Sequence, residues 1–161
     1  INGRPMIDYA IDQALASDRA DDIYVTTDSN EIVAHAQRQN IKVIRRPESL
    51  GGETPLLDVI QHALKQIDNH SIETVVCLQV DHPDRTIAVD KAIEIFETEK
   101  VDKLFSTEAD GTKNGAQFIL SRNYIETGEF HGEFGVIDNC TNIHFPEDLE
   151  QAAANLRSRK E

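Results

Sequence analysis

The sequence has no tryptophan, one methionine and two cysteines in 161 residues. Two cysteines cannot staple a disulfide-rich secreted scaffold, and neither Cys77 nor Cys140 has zinc-site spacing. Cys77 lies inside an apolar run, so a buried free thiol in a reducing cytoplasm is the expectation. Basic residues are also scarce: 16 Lys and Arg against 29 Asp and Glu leave a net charge of −13. That balance excludes nucleic acid or an anionic membrane as the main partner, because phosphate neutralisation needs clustered cations. No apolar run reaches transmembrane length, and there is no signal-peptide pattern, internal repeat or linker rich in Pro, Gly or Ser. Residues 1–161 read as one soluble, compact domain, large enough to bury roughly two-thirds of its unfolded surface.

What the chain does contain is an alternation of strand and helix patterns. Met6, Ile7, Ala10, Ile11, Ala14 and Leu15 form a stripe at helical spacing after Pro5. Residues 23–27 are β-branched and aromatic, a strand pattern. Asp28 and Glu31 then stand at capping-box spacing ahead of a helix that Asn40 could close in the left-handed conformation. A short strand over 41–44 runs into Arg45, Arg46 and Pro47, and a loop over 48–53 leads to a helix from Thr54 and Pro55. After the strand at 74–78 comes a helix over 87–96. Further strands are expected at 103–107 and 116–120, irregular chain over 121–140, and a last helix from Pro146. Strands separated by helices of ten or more residues need right-handed crossovers. The fold class is therefore α/β, a three-layer sandwich with a mostly parallel open sheet.

The chain is organised around residues 73–86, ETVVCLQVDHPDRT. Thr74–Leu78 has the pattern of a strand buried on both faces. In open parallel sheets the ligand crevice lies at the carboxyl ends of strands. Asp81 is placed there as a candidate metal ligand. Asp84 and Arg85 form either a solvated loop pair or, for Arg85, a bidentate anion contact. His82 reads as a packing residue. Arg45 and Arg46 end a second strand, and two arginines at one rim of an acidic protein suit an anion between them. Asp28 serves as a helix cap or, from its strand-end position, lies beside the cleft. His35, His62 and His70 read as solvated.

Three stretches in this order resemble the sugar-acid cytidylyltransferases, which make CMP-activated sialic acid and ketodeoxyoctonate. Residues 3–64 are similar to that family's first helix, its VSTD strand and its RP loop. LQVDHPDRT looks like a blend of LQPTSPLRT and QGDEPLI. NGAQFIL at 114–120 with TNIHFPEDLEQA at 141–152 resembles NGAIYI followed by IDTPEDLE. The resemblance implies a nucleotide-diphospho-sugar transferase-like fold and transfer of CMP from CTP to a sugar acid with release of pyrophosphate. It also implies a divalent cation (Mg or Mn), a place in polysaccharide biosynthesis and a homodimer as a possible assembly. Carried over by position, Asp81 and Arg85 become catalytic, and Arg46, Gln79, Asn114, Gly115 and Asp28 contact substrate. Asp81 and His144 become the metal ligands.

The departures from the family are specific. Its Gly- and basic-rich N-terminal loop, which holds the triphosphate, is absent, and the chain opens about where that loop ends. A truncated chain, an unobserved segment and a different mode of holding CTP all fit. The first sheet strand is then expected to be missing or supplied from elsewhere, leaving 23–27 and 73–78 unpaired with each other and this chain a poor catalyst as given. His144 replaces a family aspartate, which favours Mn²⁺ over Mg²⁺. The segment between 107 and 114 is short beside the family's dimerisation insertion. Two other readings stay open: a non-catalytic binding or assembly relative, and a metal-dependent glycosyltransferase.

Overall fold

The structure is a computed structural model that describes residues 1–52 and 54–159. Glu53, the last residue of the expected 48–53 loop, lies outside the described residues. The elements alternate as expected: α1 (Met6–Leu15), β1 (Tyr24–Thr27), α2 (Asn30–Arg38), β2 (Lys42–Arg45), α3 (Leu56–Ile67), β3 (Thr74–Leu78), α4 (Val89–Glu99), β4 (Lys103–Thr107), β5 (Lys113–Ser121), α5 (Arg122–Thr127), β6 (Glu133–Ile137) and α6 (Pro146–Ser158).

The strands form two sheets. β1 and β2 pair in parallel, and a four-stranded sheet has the order β3-β5-β4-β6. β5 is antiparallel to both β3 and β4, while β4 and β6 are parallel. β3, β4 and β6 thus point one way and β5 is reversed among them. A hairpin turn joins β4 to β5, and the α4 crossover joins β3 to β4 over it. β1 and β3 belong to different sheets and do not pair, as expected.

Side-chain alternation on the strands sorts the core into layers. Val76, Leu78, Leu104, Ile119 and Val136 face α4, whose Val89, Ala92, Ile93 and Phe96 stand at helical spacing. Val75, Cys77 and Leu120 face the opposite side, against Ile60 and Leu64 of α3 and Ile125 of α5. Ile7 and Ile11 of α1 join Ala36, Ile41, Val25 and Val43 over the β1–β2 sheet. Helices on both faces of the sheet make this the three-layer α/β arrangement. Cys77 and Cys140 are free, and burial pushes the Cys77 thiol up to about 12.

Several local expectations are corrected. Ser29, not Asp28, caps α2, its Oγ accepting from Ile32 N. Asn40 does take φ +58° beyond α2, and Ile41 N closes on Ala36 O. Thr54 donates to Gly51 O instead of capping α3. α4 starts at Val89 after Ala88, two residues later than the expected 87, and ends at Glu99, beyond the expected 96. Within 121–140 the chain forms α5, capped by Ser121 and closed by Gly128 in the left-handed region, and then β6. His35 is not solvated: its Nε2 lies 2.6 Å from the buried carboxylate of Asp8, joining α2 to α1. His62 Nδ1 is also buried, and His70 is exposed.

Candidate active site

β3 delivers Gln79–Asp84 to the rim, and the backbone continues the sheet by one bond, Gln79 N donating to Ala116 O at 3.1 Å. Asp81 is half-exposed, and His82, which is buried, donates from Nδ1 to Asp81 Oδ1 at 2.8 Å. Burial raises the Asp81 carboxyl, but the hydrogen bond and charge of His82 and the charge of Arg85 outweigh it. The carboxyl is therefore held below the ordinary aspartate range, as an anion at neutral pH.

Asp28 and Arg46 meet at the carboxyl ends of β1 and β2. Arg46 Nη2 lies 3.6 Å from Asp28 Oδ1, and Arg46 N donates to Thr27 O. One cation of the expected pair is thus held at this rim by a carboxylate. Arg45 bonds Asn30 instead. Asn114 is buried and brackets Gly115, where the β4–β5 register shifts. Its Nδ2 donates to Asp138 O at 2.8 Å, and its Oδ1 accepts from Ala116 N. Gly115 has φ +81° with open space where a Cβ would stand, so glycine is required by the backbone and not by crowding.

Arg85 is turned inward. It is 4% exposed, with Nε donating to Ala116 O at 2.8 Å and Nη1 to Gln13 Oε1 at 2.9 Å. Nη2 is also enclosed and has no partner among the described residues. Burial lowers its pKa to about 10 against the opposing pull of the nearby acidic side chains. It therefore braces the rim between α1 and β5 instead of lining an open anion site. Asp84, read as half of a solvated pair, is fully buried.

His144 is exposed, edge-on to Phe145. Its backbone and that of Phe145 donate to Asp148 Oδ2 at the start of α6. Its neighbour Ile143 donates from N to Asp81 O at 3.0 Å, which brings the 142–144 segment to the Asp81 loop. No group of three or more His, Cys, Asp or Glu side chains gathers as a metal cage among the described residues.

The partners of Asp84, and Asp138 altogether, escaped notice in the sequence. Asp84 accepts from Thr141 N, Thr141 Oγ1 and Asn155 Nδ2, and Asp138 accepts from Thr86 N and Thr86 Oγ1. A visible trace exists, an aspartate shortly followed by a threonine at 84–86 and again at 138–141. Their pairing across more than fifty residues is set by the β4–β6 register and cannot be read from spacing.

Residues 1–127 match the cytidylyltransferase family. An 8-amino-3,8-dideoxy-manno-octulosonate cytidylyltransferase of Shewanella baltica is 33% identical over 171 aligned positions, 97% of this chain and 70% of the relative. The chain belongs to the cytidylyltransferase family. Its fold is shared by CMP:2-keto-3-deoxy-manno-octonic acid synthetase complexed with CTP, with a TM-score of 0.73 at 15% identity over 100% of this chain and 90% of that one. A Mycobacterium tuberculosis H37Rv protein in complex with manganese aligns with a TM-score of 0.67 at 14% identity, over 94% of this chain and 87% of that one. At such identities the likeness concerns the cytidylyltransferase's architecture: mixed sheets, helices on both faces, and loops at the carboxyl rim.

Proposed function

We propose that this cytidylyltransferase transfers CMP from CTP to a sugar acid of the octulosonate kind, releasing pyrophosphate. The sugar hydroxyl bonds to the α-phosphorus, the bond from that phosphorus to the β-phosphate bridging oxygen breaks, and the hydroxyl proton is lost to solvent. Such chemistry rests on positioning and charge neutralisation and needs no protein nucleophile. The observation that carries the reading is Asp81, a half-exposed carboxylate kept ionised by buried His82 at the end of β3.

The other rim residues take roles that follow from their placement. Arg46 offers positive charge at the β2 end, oriented by Asp28. Gln79 and Gly115 flank the β3–β5 rim on which a substrate can lie, and buried Asn114 shapes that rim from beneath. Arg85 positions the loop from beneath. For a divalent cation, the donors present are the Asp81 carboxylate, with Oδ1 already bonded, and exposed His144. That set fits a weakly held ion that completes its shell from substrate oxygens and water. The imidazole makes Mn²⁺ a better match than Mg²⁺. When bound, the ion supplies charge neutralisation at the phosphates. The free cysteines accord with a reducing cytoplasm.

The test is pyrophosphate release by the protein expressed from its complete open reading frame, with CTP or another nucleoside triphosphate and a panel of sugar acids. Release that requires both CTP and one sugar acid is expected, with Asp81→Asn losing about a hundred- to thousand-fold in kcat. Release independent of the sugar acid, or undiminished by Asp81→Asn, contradicts the reading.

A further inference from the structure

Two buried carboxylates are exchanged between the loop after β3 and the segment after β6. Asp84 Oδ1 accepts from Thr141 N at 2.8 Å, and its Oδ2 accepts from Thr141 Oγ1 at 2.9 Å and Asn155 Nδ2 at 2.7 Å. In return, Asp138 Oδ1 accepts from Thr86 N at 2.6 Å and Thr86 Oγ1 at 2.7 Å. Each segment lends an aspartate and a threonine to the other. Both carboxylates are 0% exposed, and neither forms an ion pair with a basic side chain among the described residues. Arg85, the residue between the two latches in sequence, feels the charge of both.

Burying two carboxylates on neutral donors is costly, and apolar side chains of similar size would hold the segments together with less penalty. What the carboxylates add is direction. Four hydrogen bonds fix the angle and offset of the 81–86 loop against the 138–143 segment, and the fifth, from Asn155, ties Asp84 to α6. The same clamp closes a further bond, Ile143 N to Asp81 O at 3.0 Å, at the residue on which the proposed chemistry depends. Asn114, also at the rim, donates to Asp138 O.

We propose that Asp84 with Thr141, and Asp138 with Thr86, are positioning residues for CMP transfer, acting through Asp81. This inference rests on the function proposed above. Neither pair touches substrate. They hold the Asp81 main chain in register with the 142–144 segment, so loosening them costs rate at the chemical step before it costs substrate affinity.

The test measures kcat and KM for Thr141→Val, Thr86→Val and Asp84→Asn in the protein from its complete reading frame. Assays are run well below the melting temperature of each variant. The expected result is a fall in kcat of roughly tenfold to hundredfold, with KM for CTP held within about twofold. Exchanging the partners, Asp84→Asn together with Asn155→Asp, restores donor–acceptor complementarity and recovers most of the Asp84→Asn loss. Variants that melt earlier yet keep kcat, or an exchange that recovers nothing, overturn the inference. Should the unmutated protein make no CMP–sugar, the function proposed above falls instead, and hydrogen exchange judges the latch. Thr141→Val then speeds exchange of the Ile143 amide by at least about tenfold if the latch holds Asp81, and unchanged exchange overturns it.

Discussion

The carboxylate of Asp28 fills the space that a side chain at Gly51 would need. A Cβ at Gly51 would fall 2.8 Å from Asp28 Oδ2 and 3.2 Å from Glu48 O, while its φ of −93° suits any residue. Crowding, not backbone freedom, explains the glycine. The close approach holds Asp28 where Arg46 Nη2 reaches it.

Gly51→Ala is therefore expected to push Asp28 away from Arg46 with little cost to the fold. Its KM for CTP or the sugar acid should rise by roughly tenfold, while its unfolding free energy stays within about 1 kcal/mol of the unmutated protein. Steady-state kinetics with urea titration checks this. An unchanged KM would show that Asp28 and Arg46 do not face substrate.

The α4-side core is predicted to be the least tolerant of truncation. Leu104 and Ile119 are register partners on β4 and β5, and neither is exposed. Leu104→Ala should cost about 2–5 kcal/mol in urea unfolding. A loss below about 1 kcal/mol would mean that α4 can close over the gap.

Asp8 ties α1 to α2 through His35 Nε2 at 2.6 Å and Gln39 Nε2 at 2.7 Å. Burial raises its carboxyl, but these bonds and the charges of His35 and Arg4 outweigh it and leave it below the ordinary range. A depressed carboxyl contributes stability above its unfolded pKa and loses it as pH falls through the folded value. Asp8→Asn should melt earlier than the unmutated protein near about pH 7, and the gap should close below about pH 4. A gap constant over that range would assign Asp8 to packing alone.

Both thiols are expected to react slowly in the folded protein. Burial pushes Cys77 up to about 12. Burial and the carboxylates of Asp138 and Asp84 push Cys140 to about 12, leaving almost no thiolate at neutral pH. Labelling with a disulfide reagent should show two slow sites that become fast on denaturation. Fast native labelling of Cys140 would mean that the 138–143 segment opens freely.

The order of strands and helices was legible because the apolar spacing of each element matched its layer. Leu56, Ile60 and Leu64 on α3, and Ala92, Ile93 and Phe96 on α4, meet alternate residues of β3. The reversal of β5 was not legible, since a buried strand has the same residue pattern whichever way it runs. α5 and β6 were missed because both are short and lean on tertiary partners. A Cβ at Gly135 would crowd Thr107 Cγ2 at 3.1 Å and the Phe105 ring at 3.3 Å, so β6 carries glycine at a strand position where local propensity disfavours it. At the site, Asp81 and Arg46 could be placed from strand ends alone. Asp84 could not, because a charged residue beside proline reads as solvent-facing until Thr141 and Asn155 arrive from a distant part of the chain.

The most direct test of the account is where the α-phosphate of CTP goes. With the protein from its complete reading frame, CTP, a divalent cation and an octulosonate-type sugar acid, phosphorus NMR should follow that atom into a sugar phosphodiester. One pyrophosphate should appear for each CMP transferred. CTP that stays intact with every sugar acid offered, or a phosphate that ends up on water instead of the sugar, would contradict it.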